Sequence, residues 1–144
     1  MLVVILLAAA MMQETSEPRS RAIEPFTIYI FTAPRGAKSA AERMHAAVDD
    51  AKEIVELSDW ILLVDERDEA DIVLEVKAYA ITEDESHHRI FTDVNVVGTE
   101  MMLVGVDERR HAERMRAVSH FMEQLQDYCA ENYVLLDSKR RPPT

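Results

Sequence analysis

Residues 59–83 read DWILLVDERDEADIVLEVKAYAITE, and the way this stretch alternates decides the fold. Trp60–Val64 (WILLV) is a short, unbroken apolar run, the pattern of a strand buried on both faces. Five charged residues, Asp65 to Glu69, then form a tight polar connection. Ala70–Thr82 follows as the longest strand candidate. Ile72, Leu74, Val76, Ala78 and Ala80 take one side of it, while Asp71, Glu75 and Lys77 take the other. A connection this short predicts that the two strands form an antiparallel hairpin.

Upstream, Phe26–Thr32 (FTIYIFT) is β-branched and aromatic throughout and reads as a strand. The turn APRG leads to Ser39-Ala-Ala-Glu42, a capping-box pattern. Behind it, Met44, Ala47, Val48, Ala51, Ile54 and Val55 make one stripe of a helix that should stop near Ser58. Downstream, Glu83–His88 forms a polar hairpin tip, Arg89–Val97 a further strand, and Met101–Val106 a last one beyond a Gly98 turn. Asp107 is placed as the N-cap of a final helix ending near Asn132. Met115, Val118, Met122, Leu125 and Cys129 set the apolar stripe of that helix. The order β-α-β-β-β-β-α predicts an α+β two-layer sandwich, with a mixed sheet and both helices on one face. The opposite face would carry Val73, Tyr79, Ile81, Phe91 and Val97 among charges.

With 144 residues, 48% of them hydrophobic and 30% charged, the chain has the composition of one globular domain. Three glycines are too few and too scattered for a dinucleotide fingerprint, and a single cysteine excludes an internal disulfide. A net charge of −11 speaks against nucleic acid and against anionic membranes as partners. The charge is uneven. Residues 38–107 carry −12, whereas residues 1–37 sum to zero and residues 108–144 to +1.

Residues 2–10 (LVVILLAAA) are too short to span a bilayer, which takes roughly 20 residues. They have the apolar stretch and the small-residue end of a signal peptide, without its basic n-region. The expected organisation is a signal peptide over residues 1–12, a linker over 13–24, one α+β domain over 25–137 and a disordered basic tail over 138–144. The mature chain would then be periplasmic or secreted, with no membrane span; if residues 1–12 are no signal, it would be cytoplasmic.

Two segments could carry chemistry. Arg35, Gly36, Lys38 and Ser39 lie at the start of the first helix, where backbone N–H groups can meet a small anion. They lack the earlier glycine and the adjacent Gly-Lys-Ser/Thr of a phosphate loop, so an ordinary capped turn is the plainer reading. In the tip EDESHH, Glu85, His87 and His88 are metal-ligand types, yet neighbouring histidines on a strand end diverge. Cys129 in an apolar stripe reads as a buried thiol, and the acid pairs Asp49/Asp50 and Glu83/Glu85 as solvated charge. Arg109, Arg110, Arg114 and Arg116 are expected to pair with acids of the same chain. No catalytic residue and no cofactor is expected.

The stretch 59–83, and Ala70–Val76 (ADIVLEV) most closely, resembles small exported bacterial proteins of unknown function. The element order around it resembles the TolB N-terminal domain and curli-secretion-like envelope proteins. That resemblance implies an accessory role in the envelope and no catalytic residues. The expected function is therefore a non-enzymatic exported domain that binds an envelope protein or self-associates. The alternative is a small ligand-, anion- or metal-binding module or enzyme that uses the Arg35–Ser39 loop or the His87/His88 tip.

Overall fold

A computed structural model describes residues 24–140. The expected signal peptide, nearly all of the linker and residues 141–144 of the tail lie outside them. Strand β1 (Phe26–Thr32) leads into helix α1 (Lys38–Glu56) and the short strand β2 (Ile61–Leu63). A 3-10 turn (Arg67–Glu69) precedes β3 (Ile72–Ile81), β4 (His88–Val96) and β5 (Thr99–Asp107). Helices α2 (Arg114–Glu131) and α3 (Tyr133–Arg140) close the described chain. The result is an α+β fold with a mixed five-stranded sheet, consistent with a two-layer sandwich.

The alternating strands supply one apolar face. Ile28, Ile61, Ile72, Leu74, Val76, Ile90 and Val96 are fully buried there against Ala47 and Ala51 of α1 and Val118, Phe121 and Leu125 of α2. Gly105 lets β5 approach α2, since a methyl group at that position would overlap the Ala117 carbonyl and press on the Phe121 ring.

The sheet order is β2-β1-β3-β4-β5, which corrects the expected β2–β3 hairpin. β3 pairs with β1 in parallel, and β2 pairs parallel with β1 from its other side. Asp71 bridges the two strands at the crossing. Its carboxylate accepts the Thr27 N–H at 3.0 Å, and its own N–H donates to Thr27 Oγ1 at 2.9 Å. These bonds tie the start of β3 to β1. The ten-residue β3 then takes the centre of the sheet, where both its edges are satisfied, and the three-residue β2 takes the rim.

A register shift between Val76 and Ala78 breaks the period of β3. Beyond it the alternation inverts, so Tyr79 is buried on the helix side while Ala78 and Ala80 are exposed. Tyr79 therefore does not belong to the open face. Ile81, which pairs with the buried His88, shares its side.

The helix ends also differ from expectation. α1 starts at Lys38 with Ala37 as its N-cap and no capping side chain, so Ser39 lies inside the first turn and the capping box does not form. Asp107 is the last residue of β5, and α2 starts seven residues later. Its carboxylate nevertheless serves that helix from a distance, accepting the N–H of the N-cap residue Glu113 at 2.8 Å. The chain continues past Asn132 as α3, which takes up Ser138–Arg140 of the expected tail. Burial of Leu136 and Arg140 holds this helix down.

Candidate functional site

The Arg35–Ser39 segment forms an exposed turn with Gly36 at φ +96°, a left-handed conformation that favours glycine. Among the described residues no hydrogen bond or ion pair brings the Arg35, Lys38 and Ser39 side chains together. The histidine tip is ordered around a different residue. Asp84 Oδ1 accepts the hydroxyls of Ser86 and Thr82, each at 2.7 Å. These bonds, Ser86 first, lower the Asp84 carboxyl to a pKa of about 2. His87 Nδ1 lies 2.8 Å from Ser86 Oγ, whereas His88 turns inward, with Nδ1 2.9 Å from the Tyr79 hydroxyl. Glu85 is exposed at φ +58°. The three proposed ligands are thus not brought together. Among the described residues no group of three or more His, Cys, Asp or Glu side chains could hold a metal.

Side chains that looked unrelated in sequence do converge. Tyr79 and His88 meet edge to face on the helix side of the sheet, where Arg114 of α2 and Asp50 and Arg43 of α1 act on the phenol. Burial pushes the Tyr79 hydroxyl up to about 12. Arg114 is ion-paired with Asp50, which is buried and not the solvated acid its sequence setting suggests. The Nε atom of Arg43 is buried with no hydrogen-bond partner among the described residues. Asp107, paired in register with His88, is held at about 2, chiefly by hydrogen bonds from Arg109 at 2.9 and 3.2 Å. Arg116 pairs with Glu113, so three of the four arginines singled out on the last helix and its approach meet acids of the chain. The Asp50–Arg114 pair ties α1 to α2, and Asp107 ties the start of α2 to the sheet. Neither the Tyr79 phenol nor Cys129, whose thiol burial also raises to about 12, is poised for acid–base or nucleophilic work near neutral pH.

At the opposite end, Arg140 is the centre of a second polar knot. It donates to the Glu24 and Pro25 carbonyls at 2.7 and 2.9 Å and to Asp71 and Asp137 at 3.0 and 2.9 Å. Its guanidinium also lies 4.3 Å above the Phe26 ring.

Among the described residues no helix covers the other face of the sheet. Val73 and Phe91 lie there as expected, together with Tyr29, Phe31, Met102 and Val104, which sequence reasoning passed over. Tyr29 and Phe31 alternate with the buried Ile28 and Ile30, and that spacing was the available signal. Their ring centroids lie 5.6 Å apart, and Arg67 lies 4.6 Å above Phe31. Beside them is a shallow concavity of about 370 Å³, lined by residues including Arg67, Val73, Glu75, Asp93, Asn95 and Glu100. Lys77 sits 3.8 and 3.9 Å from Glu75 and Asp93.

β5 is the long edge of the sheet, and α2 closes part of it. The Val106 N–H donates to His120 Nδ1 at 3.0 Å, and Gln124 Nε2 donates to the Val104 carbonyl at 2.8 Å. Four residues along a helix rise about 6 Å, close to the two-residue step of a strand, so the two side chains meet alternate outward positions. Beyond Val104 this clamp ends.

No family model matches the chain, and no curated protein matches it in sequence. Its fold is similar to that of a ribosomal subunit interface protein from Coxiella burnetii, at 10% identity, 75% coverage of this chain, 98% of that one and a TM-score of 0.39. A dodecamer of PelC from Paraburkholderia phytofirmans is similar at 12% identity, with 72% and 88% coverage and a TM-score of 0.47. An uncharacterized lipoprotein B from Nitrosomonas europaea is similar at 11% identity, with 81% and 82% coverage and a TM-score of 0.34.

Proposed function

We propose that this protein is an exported, non-enzymatic interaction domain of the cell envelope that engages a partner through the sheet face its helices leave open. The carrying observation is the composition of that face. Tyr29, Phe31, Val73, Phe91 and Val104 are only partly covered, and Met102 is 64% exposed, although burial on the other side already supplies a full core. Aromatic and Met side chains among scattered charges are what protein interfaces favour. Export is argued from residues 2–12 of the sequence alone, and N-terminal sequencing of the protein from its native host checks it.

A photo-crosslinking residue placed at Phe91 on the open face, or at Glu53 on exposed α1, tests the reading in the native host. The expected result is a discrete crosslinked species from position 91 and none from position 53. Equal capture from both, or none from position 91, would overturn the proposal.

A further inference from the structure

The β5 edge carries a more specific inference, which rests on the proposed interaction role. Val104 and Val106 direct their backbone groups away from β4, as their bonds to Gln124 and His120 require. The β4–β5 register runs without a break from Thr99 to Asp107, so Glu100 and Met102 direct theirs outward as well. Among the described residues nothing meets them. The edge is therefore divided: its C-terminal half is clamped by α2, and its N-terminal half is a row of unused donors and acceptors.

The chemistry around the free half selects a partner. On the open face it presents Glu100, and Asp93 pairs in register with Met102. Glu75 and Arg67 also line this hollow, and Lys77 bridges Glu75 and Asp93; among the described residues no cation pairs with Glu100. On the helix face the free half shows the partly buried Met101 and Leu103. A second copy would bring a net −11 against another −11, with acids concentrated in residues 38–107. An incoming strand of opposite charge meets no such repulsion.

We propose that the free half of β5, Thr99–Leu103, is a strand-addition site for an extended segment of a partner protein that alternates apolar and basic side chains. Main-chain bonds to Glu100 and Met102 supply the pairing. Apolar side chains of the segment extend the surface of Met101 and Leu103, and its Lys or Arg side chains lie beside Glu100 and toward Asp93.

The test uses the full chain, 15N-labelled, and a capped nonapeptide alternating valine and lysine as the probe. The expected result is that amide shifts concentrate at Glu100, Met102 and Val104, and that a valine–glutamate peptide produces none. Met102→Pro removes an outward N–H that the β4 ladder does not use, and it should abolish the shifts while the remaining spectrum stays folded. Glu100→Lys should weaken binding at least fivefold even if the proline variant fails to fold. The inference is overturned if shifts map elsewhere, if both variants bind unchanged, or if the same amides respond to protein concentration without peptide, which would identify a second copy as the occupant. Loss of the edge site with retained crosslinking from position 91 would leave the open-face reading standing. Loss of both would remove it too.

Discussion

Phe121 and Phe91 are the same side chain on opposite faces of one sheet, and their surroundings separate packing from display. Phe121 is fully buried in α2 beneath β5, where Gly105 makes room for it. Phe91 stands on β4 with its face only partly covered. The covered face is a continuous apolar core in which Phe26, Tyr79 and Phe121 pack among aliphatic side chains, whereas the open one mixes Tyr29, Phe31 and Phe91 with Glu75, Asp93 and Arg89. An aromatic residue in a strand thus does not by itself mark the core. The side on which the helices lie decides.

Truncating both rings should separate the two faces most clearly. Phe121→Ala should cost about 3–5 kcal/mol, as cavity formation in a packed core does, while Phe91→Ala should cost about 1 kcal/mol or less. Urea unfolding of the two variants checks the contrast, and equal losses would mean that the open face is as much a core as the covered one. Next in size is Arg140→Ala, which strips the cation from Asp71 and Asp137 and the donor from two backbone carbonyls. We expect a loss of about 2–3 kcal/mol, toward the lower end for a buried pair because Asp71 is partly exposed. Arg140→Lys should not rescue it, since an ammonium cannot reproduce the forked contacts.

The smallest effect is a pH dependence. The Asp107 carboxyl sits at about 2 against an ordinary 3.8, so it binds a proton more weakly in the folded than in the unfolded state. Its contribution is present above pH 4 and is lost as pH falls from about 4 to about 2. Asp107→Asn should flatten the fall in melting temperature across that window, and an unchanged slope would show that Asp107 does not carry it. Tyr79 acts at the other extreme. Its hydroxyl is raised to about 12, so stability should decline as pH rises from 10 toward 12, and Tyr79→Phe should remove that decline.

Much of the fold was legible. The strands were found because alternation and β-branching report the local environment of each residue, and the two long helices because their stripes recur at helical spacing. The misses share a cause. β3 pairs with β1 where Asp71 meets Thr27, 44 residues away, and no local pattern contains that contact. Reading Tyr79 as outward followed from a perfect period of two, which the bulge at Val76–Ala78 breaks. Asp50 looked like solvated charge beside Asp49 because its partner Arg114 is 64 residues distant. Arg140, in what reads as a basic tail, became the central contact of one end of the molecule for the same reason.

For the candidate sites the balance is different. The Arg35–Ser39 turn and the Glu85, His87 and His88 tip were singled out for residue type alone, and type does not convey convergence. The open face was anticipated in outline through Val73 and Phe91, but the half-clamped β5 edge was not. His120 and Gln124 read only as polar positions on a helix until that helix is laid along Val104 and Val106. Propensity and periodicity are local, so the residues alone located the five strands and the two long helices, and the common side of each except beyond the bulge in β3. Which strand is central, which charges are buried in pairs and which half of an edge is left free emerge only when the elements are packed together. Those outcomes are set by contacts between residues far apart in the chain, where burial makes every unpaired polar group costly.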